Sequence, residues 1–252
     1  MIHVEYSGRL GNNLFQFAHG WILSKLSGVP LCCKPLGLFP GTQGFLPAAG
    51  GAPKVARDAV RTPRHGFNVG RLVMLARECD VVVDGNQHDT AYFEPHKALL
   101  SDVLKPHPGP FTASNSDEVV LHLRLGDFFN HPKWPLAVKL FSYPVEAVHR
   151  LLSRLDYERC WIVTDSPGAE VVAHIVRQHR GVCVSGDMHH HFRTLYHARR
   201  LVLTPSTFGW WAAWLGHANE VHFPHELGFW KSENNFALHV REPRYQFYGE
   251  GE

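Results

Sequence analysis

The chain has 252 residues, of which 44% are hydrophobic, so it is long enough for one large or two small domains with buried cores. Its formal net charge of +2 at pH 7 is close to neutral, which argues against a nucleic-acid-binding surface. Any anion site must therefore be local.

The cysteines and the apolar runs predict a cellular location. The five cysteines are odd in number and form no CxxC pair, which argues against a disulfide framework and a zinc ribbon. The N-terminus lacks the pattern of a signal peptide, and no apolar run approaches the roughly 20 residues that span a bilayer. We therefore expect a cytoplasmic protein without a transmembrane segment, and peripheral attachment to a membrane stays open.

The N-terminal residues predict a strand, a glycine turn and a helix. The strand covers residues 2–6, and the turn, residues 7–13, carries Arg9 and Asn12. Apolar residues then recur at helical spacing over residues 14–26. A helix that begins after such a turn offers free N–H groups to a phosphate, although many glycine turns are only turns.

The rest of the first half shows weaker periodicity. Residues 30–64 are rich in Pro and Gly and are predicted to be mostly loop, in a position that could border an acceptor site. Helices are predicted over residues 69–76 and 95–104, with a buried strand at 81–83. Residues 105–116, with three prolines, are typical of a linker.

This linker sets the predicted domain organisation. We expect an N-terminal domain over residues 1–110, a C-terminal domain over residues 115–230, and a C-terminal tail over residues 231–252.

The C-terminal half alternates predicted strands and helices, which indicates a mostly parallel sheet in a Rossmann-like α/β domain. A buried strand begins at Val119, and the predicted elements that follow are helix 144–155, strand 160–163, helix 168–180, strand 182–184, helix 192–200, strand 201–203, helix 208–215 and strand 221–223.

Polar side chains follow three of these strands. In an open α/β sheet, ligands bind beyond the carboxyl ends of the strands, so these side chains are expected to line one crevice. A guanidinium at such a position suits a phosphate, because its planar fork gives bidentate, charge-assisted hydrogen bonds. The three groups are His122, Arg124 and Asp127; Thr164, Asp165 and Ser166; and Thr204, Ser206 and Thr207.

Together these groups predict a nucleotide site. Arg124 would bind a diphosphate, Asp165 a base or ribose, and the hydroxyls of Ser206 and Thr207 a phosphate at a helix N-terminus. Two structural alternatives stay open. Arg124 and Asp127 could form a local ion pair, and Asp165 and Ser206 could be ordinary helix caps.

Other chemistries find little support. Histidines cluster at His189–His191 and at His217, His222 and His225, but neither set has the HExxH spacing of a metal site. No GxSxG elbow and no Walker loop is present. The tryptophans that recur at helical spacing, Trp210, Trp211 and Trp214, are expected to be core residues.

Four motifs resemble the α1,2-fucosyltransferase family, and they occur in the family's order across residues 8–215. Residues 8–18, GRLGNNLFQFA, resemble the family's GxLGNQMFQYA. HLRLGD at 122–127 matches the HxRxGD motif that is shared with α1,6- and protein O-fucosyltransferases. TDSP at 164–167 resembles SDDP, and STFGWWAAWL at 206–215 is similar to STFSWWGAWL.

The resemblance implies a GT-B-like α/β fold with two Rossmann-like domains that face a cleft. It implies an inverting, metal-independent glycosyltransferase that moves L-fucose from GDP-fucose to a glycan hydroxyl, with an α1,2 linkage to galactose favoured. No cofactor is expected besides the donor substrate. The partners would be this donor and a glycan acceptor, and the oligomeric state is open.

The resemblance also implies roles for individual residues. His122 and Asp165 would contact guanine or ribose, Arg124 the β-phosphate, and Ser206 and Thr207 the diphosphate. Arg9 and Asn12 would face the diphosphate across the cleft. We expect Arg124, Asp127 and Asn12 to be the catalytic residues, which would stabilise charge and transfer a proton.

The general base is the least defined of these roles. Asp127 is a candidate on position alone, with a structural role in its turn as the alternative, and His131 is weaker. Departures from the motifs, Asn13, Ser166, Pro205 and Gly209, and a short first half make the donor a firmer expectation than the acceptor. A transferase of another nucleotide sugar and a degenerate binding relative remain the alternatives.

Overall fold

A computed structural model shows how the chain is arranged. The residues that it describes are 1–45, 55–62, 68–85, 88–126, 145–225 and 238–249. The chain divides into two compact units, Met1–Pro108 and Gly109–Glu252. This division falls within the stretch 105–116 that the sequence predicts as a linker. Among the described residues, no helix is both long and apolar enough to cross a membrane.

The first unit contains a four-stranded parallel sheet with the order β2-β1-β4-β3. The central strands β1 and β4 are both buried, and the sequence predicts a strand at each of these positions. The strands are β1 (Ile2–Val4), β2 (Leu31–Cys32), β3 (Val60–Arg61) and β4 (Val81–Val83). The helices are α1 (Leu10–Ser27), α2 (Val69–Glu78), α3 (Thr90–Phe93) and α4 (Lys97–Val103), with short 3-10 turns at Pro40–Thr42 and Glu94–His96.

Helix α1 begins four residues earlier than its apolar spacing predicts. The N–H of Asn13 already donates to the carbonyl of Arg9 at 3.0 Å, so Asn12 lies in the first helical turn rather than in a loop. Gln16, fully buried in this helix, accepts from the N–H of Ser7 at 3.0 Å and donates to the carbonyl of Asp84 at 3.3 Å. These bonds tie the segment before α1 to the end of β4.

The second unit contains a six-stranded parallel sheet with the order β10-β9-β8-β5-β6-β7. Starting from β5, the chain first builds the sheet outward through β6 and β7, then returns to the other side of β5 with β8. The strands are β5 (Glu118–Leu123), β6 (Arg159–Thr164), β7 (Gly181–Cys183), β8 (Arg200–Leu203), β9 (Glu220–His225) and β10 (Tyr245–Gly249). This is the doubly wound order of nucleotide-binding α/β domains.

Four described helices connect these strands: α5 (Val145–Arg154), α6 (Glu170–Gln178), α7 (Met188–His197) and α8 (Thr207–Leu215). Helix α7 begins one turn earlier than predicted, because the Asp187 side chain accepts from the N–H of His190 at 2.8 Å and caps the helix. The prediction that the tryptophans belong to the core is confirmed, since all three are fully buried in α8. Trp210 and Trp214 stack at 5.3 Å.

Strand β10 lies within the stretch that the sequence sets apart as a C-terminal tail, residues 231–252. It pairs in parallel with β9 from Tyr245 opposite Val221 to Gly249 opposite His225. Five residues of mixed aromatic and polar character are a weak local signal. The strand is formed by its pairing and by packing of its aromatic side chains.

Arg244, just before β10, holds the C-terminal end of α8. Its guanidinium donates to the carbonyls of Ala213 and Trp214 at 3.1 and 3.3 Å, and to those of Gly216 and Ala218 at 3.2 and 3.0 Å. The last carbonyls of a helix lack partners within the helix, and a cation there also interacts favourably with the helix dipole. The side chain is only 17% exposed, so water competes little for these bonds.

We therefore expect Arg244→Ala to lower the free energy of unfolding by about 2–3 kcal/mol, because several buried carbonyls lose a charged donor. Urea denaturation monitored by tryptophan fluorescence measures this loss. Arg241→Ala, which removes an exposed arginine from the same segment, is the control and should change stability by less than about 0.5 kcal/mol. Equal effects of the two substitutions would contradict the capping role.

Candidate functional site

The strand order of the second unit locates a binding crevice. Strands β5 and β8 are neighbours, but the chain continues from β5 to β6 on one side and from β8 to β9 on the other. In open α/β sheets this switch point is where ligands bind. The segments that follow β5, β6 and β8 are those whose polar residues the sequence singles out.

Asp165, after β6, organises the segment that follows β5. Its Oδ1 accepts hydrogen bonds from the N–H groups of Leu125 and Gly126, both at 2.9 Å. Its Oδ2 lies 3.2 Å from Nε of Arg124. A Cβ at Gly126 would lie 2.6 Å from Asp165 Oδ2, so a side chain at position 126 would force this carboxylate to shift. Arg124 thus forms an ion pair with the residue that directly follows the neighbouring strand β6.

The charge of Asp165 is stabilised by these contacts. Burial by itself would raise the pKa of this carboxyl. The hydrogen bonds from Gly126 and Leu125, together with the charge of Arg124, outweigh burial and hold the pKa below its usual value of 3.8. The side chains of Arg124 and Asp165 are 17% and 27% exposed, so the pair is largely shielded but reaches the surface.

Thr204, directly after β8, fixes the other side of Arg124. Its Oγ1 accepts from the backbone N–H of Arg124 at 3.0 Å, and its own N–H donates to the carbonyl of His122 at 3.1 Å. Thr204 is 1% exposed. The sequence places Thr204 at a strand end but assigns it no role, because a hydroxyl that bonds a backbone N–H 80 residues earlier leaves no local signal.

Ser206 and Thr207 lie where helix α8 begins. Ser206 occupies the N-cap position, but its side chain makes no capping hydrogen bond. Asp165 does not cap α6 either, since the N-cap residue of that helix is Ala169. The alternative explanation as an ordinary helix cap is therefore wrong for Asp165, whereas Ser206 lies at an N-cap without a capping hydrogen bond. A helix N-terminus without a side-chain cap still presents N–H groups that can donate hydrogen bonds to an anion.

His122 lies beneath the first turn of α8. It is 5% exposed, and its Nδ1 has no hydrogen-bond partner among the described residues. A Cβ at Gly209 would lie 2.6 Å from this Nδ1, so the glycine that replaces the family's usual serine makes room for the ring. Burial, reinforced by Arg124 and opposed by Asp165, lowers the pKa of His122 to about 3. The imidazole is therefore neutral at physiological pH.

Four candidate residues fall outside the described part of this unit. Arg9 and Asn12 belong to the first unit, at the start of α1. Asp127 and His131, the candidates for a general base, lie outside the described residues. Their roles stay predictions.

Three of the histidines singled out in the sequence have separate partners. His190 Nε2 lies 3.1 Å from Thr112 Oγ1, and His191 Nε2 donates to the carbonyl of Val184 at 3.2 Å. His222 Nε2 lies 2.6 Å from Glu220 Oε1. Within the part of the chain that the structure describes, no three His, Cys, Asp or Glu side chains are arranged to hold a metal ion.

The family model described as glycosyl transferase family 11 matches residues 100–226, which are 127 of the 252 residues. A search of curated proteins gave no significant match. Among solved structures, a mutant of Arabidopsis thaliana FUT1 in complex with GDP is similar, with a TM-score of 0.55 and 12% sequence identity. The match covers 90% of this chain and 71% of that chain.

This structural likeness confirms the predicted fold class. The chain has an α/β fold with two parallel sheets, of four and six strands, consistent with a GT-B-like architecture. At 12% identity the likeness concerns the fold.

The lowered pKa of Asp165 leads to a prediction about stability. Above pH 3.8 the folded state gains from the charged carboxylate, and this gain is lost as the pH falls through the lower pKa of the folded state. Asp165→Asn keeps the shape but not the charge. We expect it to lower the free energy of unfolding by about 1–3 kcal/mol at pH 7 and to weaken the loss of stability at acidic pH.

Urea denaturation at a series of pH values between 3 and 7 tests this expectation. Asp156→Asn, which neutralises an exposed carboxylate in the same unit, is the matched control and should leave the curve close to that of the wild type. If Asp165→Asn shows the pH dependence of the wild type, Asp165 does not carry this contribution.

Proposed function

Because the chain belongs to glycosyl transferase family 11, we propose that this glycosyltransferase transfers L-fucose from GDP-fucose to a glycan hydroxyl, with inversion at the sugar carbon. The observation that carries the proposal is the position of Arg124 at the carboxyl end of β5, where Asp165 pairs with its guanidinium and Thr204 accepts from its backbone N–H. A guanidinium held at the switch point of a doubly wound sheet is suited to a diphosphate. That the similar Arabidopsis thaliana FUT1 was solved with GDP supports a guanine nucleotide.

The proposed mechanism is electrostatic. As the bond between fucose and the diphosphate breaks, negative charge accumulates on the departing phosphate. Donors that are already oriented stabilise this charge without having to reorganise during the reaction. Arg124 would supply the charged donor. The N-terminus of α8, with the hydroxyls of Ser206 and Thr207, would supply the remaining donors.

Asp165 has a structural part in this proposal. Its carboxylate holds the Nε side of the guanidinium, which orients the planar fork while the carboxylate also fixes the backbone of Leu125 and Gly126. A role of Asp165 in contacting guanine or ribose, as the family resemblance implies, stays a prediction. The same holds for His122, whose neutral ring would be a hydrogen-bonding group rather than a charged one.

The remaining assignments follow from the family. Arg9 and Asn12 as further diphosphate contacts and Asp127 as the acceptor's general base are proposals from the sequence motifs. So are a reaction without a divalent metal, an α1,2 linkage to galactose and a cytoplasmic location.

Replacement of Arg124 tests the phosphate assignment. We expect Arg124→Ala to reduce kcat with GDP-fucose by about 10²–10³, since a donor to the developing charge is lost. Arg124→Lys keeps the charge without the bidentate fork and should be intermediate. Arg177→Ala, which removes an exposed arginine from the C-terminal end of α6, is the control and should leave the rate unchanged. Undiminished transfer by Arg124→Ala would remove this residue from the mechanism.

Nucleotide binding tests the donor. Titration calorimetry with GDP, UDP, ADP and GDP-fucose, each with and without EDTA, should show micromolar binding of the guanine nucleotides that EDTA does not change. Tighter binding of UDP would indicate another nucleotide sugar, and a requirement for a divalent ion would contradict metal independence. If no nucleotide binds, a degenerate relative is the better description.

A further inference from the structure

Tyr248, in the C-terminal strand β10, reaches the end of the strand that borders the candidate site. It is 2% exposed, and its hydroxyl donates to the carbonyl of Leu203 at 2.7 Å. Leu203 is the last residue of β8, two strands away from β10. The Tyr248 side chain must therefore cross β9 to make this bond.

The sheet ladder provides no hydrogen-bond donor for the carbonyl of Leu203, and the strand register explains why. The pairing of β8 with β9 runs to Val202 opposite His222. The N–H of Thr204 points to β5, where it donates to His122, so the carbonyl of Leu203 in the same peptide unit points to β9. In a continued parallel ladder, its donor would be the N–H of residue 224. That residue is Pro224, which has no N–H.

Tyr248 is also the residue that pairs with Pro224 across the strands. In the pairing of β10 with β9, Tyr248 lies opposite Pro224. A proline between two strands removes one ladder hydrogen bond and is uncommon away from a sheet edge. Here the hydroxyl of the residue opposite the proline supplies the missing donor to the carbonyl of Leu203.

The bond to Leu203 bears directly on the site, because Thr204 shares its peptide unit. Thr204 donates to the carbonyl of His122 and accepts from the N–H of Arg124. A shift of the Leu203 carbonyl rotates this peptide unit and displaces the N–H and then the side chain of Thr204. The hydroxyl of Tyr248 is thus connected through two residues to the backbone of Arg124.

We propose that Tyr248 is a positioning residue for the nucleotide site, which replaces the hydrogen bond that Pro224 cannot make and thereby fixes Thr204 and Arg124. The inference rests on the proposed function only in naming the nucleotide as the ligand. Tyr248 acts through Leu203 and Thr204 and need not touch the donor. The residue lies outside the stretch that the family model matches.

Removal of the hydroxyl tests the proposal. We expect Tyr248→Phe to weaken GDP binding by roughly 3- to 30-fold and to raise the KM for GDP-fucose similarly, with the KM for the acceptor unchanged. Without nucleotide, amide hydrogen exchange at Arg124 and Thr204 should become faster, because both N–H groups lose a fixed partner.

A matched control separates positioning from general stability. Tyr157→Phe removes another tyrosine hydroxyl in the same unit, one that lies 3.1 Å from Nδ1 of His179. Tyr157 precedes β6, at the opposite end of the sheet from the site. We expect this variant to lose stability but to keep the GDP affinity and the amide exchange of Arg124 and Thr204.

The missing donor can also be restored. In the double variant Tyr248→Phe with Pro224→Ala, residue 224 regains an N–H that can complete the ladder to Leu203. We expect GDP affinity and slow exchange at Thr204 to recover. Pro224→Ala alone gives Leu203 a second donor and should slow the exchange of the Thr204 amide, which tests the geometry even if Tyr248→Phe fails to fold.

The outcomes distinguish this inference from the proposed function. If the wild type binds no GDP but exchange at Arg124 and Thr204 still responds to Tyr248→Phe and recovers in the double variant, the proposed function is wrong and the positioning network stands. If the wild type binds GDP, and Tyr248→Phe changes neither binding nor exchange, the role of Tyr248 is wrong. Unchanged exchange in Pro224→Ala would likewise count against it.

Discussion

The Asp165 carboxylate is the contact on which the candidate site depends. It joins the ends of two neighbouring parallel strands, because it lies after β6 and binds the backbone that follows β5. The same carboxylate pairs with Arg124 and so gives the guanidinium a defined orientation. A charge at this depth is stable only when it is paired and hydrogen-bonded, and both conditions are met at once.

A second set of hydrogen bonds supports the same arginine from the other side. Thr204 holds the backbone of Arg124, and Tyr248 holds the carbonyl of Leu203 beside Thr204. The guanidinium and the backbone of Arg124 are therefore held by residues that follow two different strands. Preorganisation of this kind is what an electrostatic mechanism requires, since donors that must reorient during the reaction stabilise its charge less.

Much of the second unit could be predicted from local patterns. The strand at Val119, the alternation that follows it and the polar residues at three strand ends were all evident. Among these polar residues, Arg124 contacts both Asp165 and Thr204. The positions that differ have identifiable causes. Helix α7 begins early because Asp187 caps it. The first turn of α1 contains Asn12 and Asn13 and shows no apolar spacing, so the pattern places the start of this helix too late. Strand β10 depends on pairing with β9, which no local pattern reports.

The sequence by itself determined the family and the residue types of the site, because its motifs are contiguous and carry their chemistry within a few residues. Only the tertiary structure decided which of these residues contact one another. It paired Arg124 with Asp165, 41 positions later in the chain, and placed Gly209 against the ring of His122. It also gave Thr204 and Tyr248 their roles. Hydrogen bonds between distant segments depend on sheet register and strand order, and neither is encoded in the spacing of nearby residues.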